Sequence, residues 1–284
     1  MHFSLFALPV ALLLLLLALE QAFPLRQPKR PLLRRFAVNA CVGVLALATA
    51  LVLVKPVASN LVEHAEGFGL LSIVAMPRIA QGIFGFLLLD LSFYYWHRAN
   101  HASRFLWRFH NVHHVDPDLD VSTAFRFHFV EIGLSAGFRA VQILLIGGPP
   151  GVFVVYELVF QLNTLFQHSN LRLPVAVERG LNLLLVTPRM HGIHHSQVRE
   201  ENNANWSSVL SWWDRLHGTL RLNIPQAQVD IGIAGYSLRG DNHVRRVLAM
   251  PFRRQRDYWR VPEDTKAAER SPSADDAERT HMAQ

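Results

Sequence analysis

Histidine is the residue whose type and spacing stand out in this chain. Between His97 and His114 the stretch HRANHASRFLWRFHNVHH holds five of them, spaced HxxxH and then HxxHH, and HGIHH repeats the second pattern at His191, His194 and His195. Residues three or four apart lie on one face of a helix. His97 with His101, His110 with His113 and His114, and His191 with His194 and His195 are therefore each expected to converge on one point. His128 and His168 stand singly between the clusters. One zinc or iron ion takes about three or four such ligands. Eight clustered imidazoles and two single ones imply two metal ions. Imidazole suits iron, copper and zinc alike, so ligand type does not choose the metal. His2, His64, His243 and His281 have no such neighbours and read as ordinary surface or core residues, and His217 is placed outside the ligand set.

Two acids could support these imidazoles. Asp90 precedes His97 by seven residues, so Asp90, Tyr94, His97 and His101 share a helix face. An acid in an apolar segment is costly without a purpose. A hydrogen bond that fixes the tautomer of a ligand imidazole is one purpose; pairing with some other neighbouring donor is an equal alternative. Glu131 lies about one turn after His128 and could orient that ring in the same way.

The elements that carry these residues are apolar helices. Half of the 284 residues are hydrophobic, and they come in blocks. Residues 3–19 and 36–54 contain no charge, and each block is long enough to cross roughly 30 Å of hydrocarbon. The leading MHFS lacks the positive region of a secretory signal, so the first block reads as a membrane helix. Cys41, the single cysteine, lies inside the second block and can form no internal disulfide. The net charge of +6 sits beside the apolar blocks and in an arginine-rich tail, which suits orientation in a bilayer better than nucleic-acid binding.

Charge also predicts sidedness. The loop LRQPKRPLLRR, residues 25–35, carries five basic residues and no acid, which makes it cytoplasmic by the positive-inside rule. The N-terminus is then external, and residues 56–78 form an external connection. A third span over residues 79–96 returns the chain to the cytoplasm where His97 begins. Residues 104–130 are too polar to cross. EIGLSAGFRAVQILLI and VFVVYELVFQLNTLFQ flank the breaker GGPPG at residues 147–151, a hairpin into the membrane with its tip at Pro149 and Pro150. Arg139 and Glu157 within it are candidates to pair with each other. Residues 171–186 suit an interfacial helix. All the histidine clusters thus fall on the cytoplasmic face. The polar end of the chain, RSPSADDAERTHMAQ, reads as disordered. The expectation is an all-α, polytopic membrane bundle of about four or five membrane helices with a cytoplasmic histidine-rich helical cap. It divides into N-terminal helices and external connection (1–78), a catalytic domain (79–222) and a polar C-terminal segment (223–284).

HRANH, HNVHH and HGIHH, preceded by DLSFYYW and followed by NWSSVLSWWDRLHGT, resemble the fatty acid hydroxylase superfamily, also called the sterol desaturase family. TAFRFHFVE around His128 and FQHSN around His168 extend the resemblance over residues 79–221. It implies an integral membrane oxygenase with a histidine-rich di-iron centre on the cytoplasmic side, hydroxylating or desaturating a C–H position of a lipid such as a sterol or fatty acyl chain. It implies two iron ions, with zinc as an alternative occupant of isolated protein, dioxygen as co-substrate, and electrons from a separate electron-transfer protein. By motif, the ligands would be His97, His101, His110, His113, His114, His191, His194 and His195, with His168 a further one and His128 either a ligand or a support. Asn205 and Asp214 match motif positions beside the third cluster. Two departures touch substrate inference more than metal inference: His217 stands where the family has an aromatic residue, and no proline follows His128.

A lipid C–H bond offers side chains no acid, base or leaving group, so such chemistry falls to a redox metal with oxygen. The competing reading is a membrane metal transporter or metal-binding protein without redox catalysis. Transporters hold their ionisable ligands near mid-bilayer, whereas these clusters fall at or beyond helix ends. A catalytically lost scaffold is a third reading, against which the intact clusters argue.

Overall fold

The computed structural model describes residues 2–261, and the polar end expected to be disordered lies outside the described residues. Helices carry the architecture. In chain order the longer ones are α1 (His2–Ala22), α2 (Leu32–Glu63), α3 (Arg78–Ala102), α4 (Arg104–His114), α5 (Phe129–Ile146), α6 (Pro150–His168), α7 (Val175–Asn182), α8 (Pro188–His194) and α9 (Val244–Ala249). Among the described residues only isolated β-bridges interrupt this all-helical plan.

Three helices, α2, α3 and α5, are long and apolar enough to cross a membrane, and α1 contributes a shorter apolar stretch, Ala7–Ala22. Their outward side chains stay bare: Val52 and Ile79 are each 79 % exposed, and Leu145 is 62 % exposed. Apolar faces of that extent are stable in lipid and not in water. The protein is a membrane protein.

The second helix runs further than charge placement suggests. Lys55 and Pro56 mark the end of an uncharged block, yet the helix continues to Glu63, where an external connection was expected to begin at residue 56. A π-helical segment, Ala50–Val54, precedes Pro56 and absorbs the hydrogen bond that the proline cannot donate.

α3 also outlasts its apolar run, so His97 and His101 occupy its last turns. One extended residue, Ser103, then breaks the helix and caps α4 by accepting from the Leu106 amide. The break turns α4 back on α3. α5 and α6 form the expected hairpin. Gly147 and Gly148 have φ of +64° and +100°, and a side chain at Gly147 would overlap the Phe68 carbonyl. Arg139 and Glu157 do pair across the hairpin, at 3.0 Å.

The loop after α4 is held by a buried ionic knot. Arg35 on α2 donates to Asp116 Oδ1 (2.8 Å), to Asp120 Oδ2 (2.5 Å) and to the Asp118 carbonyl (3.2 Å). Arg126 ties the same knot to the Val112 carbonyl and to Asn39. Buried ions are tolerable only when paired and hydrogen-bonded throughout.

Candidate metal centre

Nine of the ten candidate histidines come together, from four helices. They form two groups, His97, His101, His110, His114 and His194 in one, and His113, His168, His191 and His195 in the other; within each, the prospective ligand atoms lie within 4.8 Å of one another. The HxxHH triads do not converge as expected. Each splits: the i, i+4 pairs His110/His114 and His191/His195 stay together, while His113 and His194 cross to the opposite group. The reason is helix geometry. Four residues advance about 400° and three only about 300° at 3.6 residues per turn, so the third residue looks to the other side of the i, i+4 pair.

In the four-histidine group the Nε2 atoms touch. His168 lies 3.0 Å from His113 and 2.9 Å from His191, and His191 lies 3.1 Å from His195. His168 already donates its Nδ1 proton to the Thr164 carbonyl at 2.7 Å, so its Nε2 is a bare lone pair facing two other nitrogens. In the five-histidine group His194 donates Nδ1 to the Ala204 carbonyl at 2.8 Å, and its buried Nε2 has no partner. His97 likewise gives Nδ1 to the Trp206 carbonyl at 2.8 Å. Buried lone pairs aimed at one another are unfavourable until a cation sits among them. The donor sets therefore fit two metal ions, one per group.

Protonation agrees. Burial, and then the neighbouring imidazoles, hold His113, His114, His191 and His195 well below the ordinary histidine range. Burial pushes His194 down to about 3. Metal ligation requires the neutral ring.

Supporting contacts differ from those the sequence suggests. Glu131 accepts from His110 Nδ1 at 2.7 Å, so it orients His110 and not His128. His128 stands in neither group. It caps α5, accepting from the Val130 amide at Nδ1 and donating Nε2 to the Leu248 carbonyl, both at 3.2 Å, which occupies both ring nitrogens. Asp90 follows the second of its two readings: it touches no imidazole and accepts from the Leu210 amide (3.0 Å) and the Trp213 indole (2.7 Å). Asp214 lies one step further out. It accepts from the Trp206 and Ser207 amides and so fixes the segment whose carbonyls hold His97 and His194. Asn205, at φ +56°, bridges Met190 to Arg221 within that segment. His217 stays outside, bonded to Tyr95 and Trp213 and stacked on Tyr94.

Sequence reasoning missed Asn202, whose amide lies 3.2 Å from His114 Nδ1 and 2.9 Å from the His194 carbonyl. It also missed Trp107, buried against His101 and His114 with ring centroids 4.7 and 5.3 Å away. The signal for Trp107 was its position in α4, three residues before His110 and seven before His114.

Comparison with known proteins agrees with this architecture. The chain is 34 % identical over 180 residues to the ornithine lipid hydroxylase of Rhizobium tropici, covering 63 % of this chain and 52 % of that protein. It is 35 % identical over 135 residues to human alkylglycerol monooxygenase (47 % and 29 %). It is 29 % identical over 143 residues to human cholesterol 25-hydroxylase (49 % and 50 %). The chain thus spans about half, or less, of the length of these relatives. No solved structure matches it. The fatty acid hydroxylase family model matches residues 82–219, the stretch holding every histidine of both groups, so this stretch of the chain is a fatty acid hydroxylase domain.

Proposed function

We propose that the protein is a membrane oxygenase that hydroxylates a C–H position of a lipid at a di-iron centre. The observation that carries this reading is the pair of all-histidine nitrogen groups, buried side by side at the end of apolar helices. The relatives' names, an ornithine lipid hydroxylase, an alkylglycerol monooxygenase and a cholesterol hydroxylase, support lipid as the substrate class and hydroxylation over desaturation.

One iron would be held by His97, His101, His110, His114 and His194, and the other by His113, His168, His191 and His195. The irons would supply what side chains lack, the redox chemistry that activates dioxygen against an unactivated C–H bond. The balance is R–H + O2 + 2 e− + 2 H+ → R–OH + H2O. The chain's own groups prepare for it. Glu131 and the carbonyls of Trp206, Ala204 and Thr164 accept hydrogen bonds from the Nδ1–H of His110, His97, His194 and His168 and so present Nε2. His113 is fixed against Phe127, stacked at 4.4 Å. Burial of nearly the whole set keeps water from the reacting atoms.

The basic loop supports a cytoplasmic centre. Arg26 donates to the Pro188 carbonyl at the start of α8, and the Lys29 and Arg30 amides donate to Asp118 just after α4. The loop that the positive-inside rule assigns to the cytoplasm therefore lies on the histidine side.

The test is metal analysis of purified protein with oxygen uptake and lipid mass spectrometry. About two irons per chain are expected, with reductant-dependent gain of one oxygen by a lipid. A metal-free preparation that retains full activity, or metal flux in proteoliposomes without lipid oxidation, overturns the reading.

A further inference from the structure

The reading as an oxygenase needs two electrons per turnover, and the route by which they enter is a separate question. We infer that the C-terminal segment from Arg239 to Arg260 is the docking face for an acidic one-electron carrier protein, and that Trp259 and Trp107 link this face to the five-histidine group. This rests on the reading of the histidines as a redox centre.

Two independent features meet there. The first is charge. The segment carries seven arginines and two acids. One acid, Asp241, is buried and paired with Arg256, with Arg246 at 4.0 Å. Arg245, Arg253 and Arg254 point outward and are exposed. An exposed basic face of this kind attracts an acidic protein and raises its encounter rate.

The second feature is contact with the centre. Half-buried Trp259 stacks on buried Trp107, with centroids 6.4 Å apart and planes at 20°. Trp107 in turn lies against His101 and His114, and Tyr258 meets it edge-on at 5.8 Å. Electron transfer weakens steeply with distance, so a run of touching aromatic rings is a short way inward. The segment is anchored for this purpose: Tyr258 accepts from the Gly235 amide, and the Arg253 carbonyl accepts from Arg108 on α4. Surface charge at one end and ligand imidazoles at the other distinguish this place from an ordinary solvated arginine run. In each of two steps the carrier is oxidised by one electron, and the pair of electrons reduces dioxygen with the two protons of the balance above.

The experiment uses the full-length, metal-loaded protein in detergent and in vesicles, with reduced plant-type [2Fe–2S] ferredoxin as the acidic probe. Ferredoxin oxidation is followed by its own absorbance with dioxygen and lipid present, against a blank without the protein, and binding by co-sedimentation. Combined Arg245→Glu, Arg253→Glu and Arg254→Glu should slow ferredoxin oxidation about tenfold or more at low salt and flatten its salt dependence. Lipid oxidation in a single turnover, with protein reduced by stoichiometric dithionite and then mixed with dioxygen, should be unchanged, which also shows that the variant folds. Trp259→Leu should leave ferredoxin binding intact but slow its oxidation severalfold, and Trp259→Phe should recover most of the rate. Unchanged ferredoxin kinetics in the triple variant, with dithionite-driven turnover intact, overturn the inference. So does a loss that appears only in vesicles of anionic lipid, which would make the face a membrane contact. If dithionite drives no lipid oxidation even in the parent protein, it is the oxygenase reading that fails.

Discussion

His113 and His114 are neighbours in the chain and serve different nitrogen groups, their ring centroids 5.3 Å apart and their planes at 88°. Consecutive helix residues diverge by about 100°, so one short helix, α4, can supply both groups and set the distance between them. α8 and its capping residue do the same from the other side, with His191 and His194 on the helix and His195 just after it. The two groups are thus built as one unit, and a shift of either helix moves ligands of both.

Single substitutions should separate the groups. His113→Ala is expected to lower bound metal by about one equivalent of two, and His114→Ala to remove the other. Adding His110→Ala to His114→Ala should cost little further metal, because both belong to one group, whereas combining His113→Ala with His114→Ala should empty the protein. Elemental analysis after a mild chelator wash checks this. Equal loss of both metals from every single variant would contradict the partition.

Glu131 and Asp90 are both buried acids near the centre, yet only Glu131 touches a ring of the two histidine groups. Glu131→Ala should weaken metal retention by about 10–100-fold, as loss of an outer partner of a ligand histidine commonly does. Asp90→Asn removes the charge that organises Leu210 and Trp213, and it should lower thermal stability with a far smaller effect on retention. Competition with a chelator against a melting curve distinguishes the two. The reverse pattern would mean that Asp90 governs the site.

These contrasts show what was legible in the sequence. The i, i+4 pairs, the hairpin turn within GGPPG at residues 147–151, and the Arg139–Glu157 pair follow from periodicity and local chemistry. The regrouping of His113 with His168, and of His194 with His97, depends on how helices cross, which no local spacing encodes. Closeness in the chain makes Glu131 only a candidate partner of His128; His110, further away in sequence, wins because α4 packs alongside α5. Likewise Lys55 and Pro56 look like a helix end, and a π segment carries the helix through them.

Acid should destabilise the metal-free protein. His113, His114, His191 and His195 sit well below the ordinary value of 6.5 because they are buried, so the folded state holds them neutral while the unfolded chain takes up protons. Stability from this source is complete above about pH 6.5 and is lost as pH falls below it, by up to about 1.4 kcal/mol per pH unit for each ring. Melting temperatures of chelated protein in detergent should be flat from pH 8 to 7 and fall between pH 6 and 5. Bound metal should flatten that fall, since it competes with the same protons. A metal-free protein as stable at pH 5 as at pH 7.5 would show that these rings are charged or solvated.

Arg35 tests whether the N-terminal helices position the centre. Its guanidinium is 2 % exposed and holds Asp116, two residues after His114, together with Asp120 and the Asp118 carbonyl. Burial alone would push the Asp116 carboxyl up, but Arg35 and Arg126 beside it bring it down to about 2. A carboxyl held below its usual value of 3.8 contributes stability above that pH and loses it as pH falls through about 2. Arg35→Ala leaves the acids buried with one cation fewer, and removing one partner of such a set typically costs about 3–5 kcal/mol. The variant should melt lower and denature in acid at a higher pH than the parent, because Asp116 then gains its proton sooner. It should also lose metal from both groups together, unlike His113→Ala or His114→Ala, since the knot anchors the end of α4 that carries both ligands. Arg35→Lys should recover only part of this, because an ammonium cannot make the forked contact. An Arg35→Ala protein with parental metal content and acid stability would show that the histidine helices hold their places without α2.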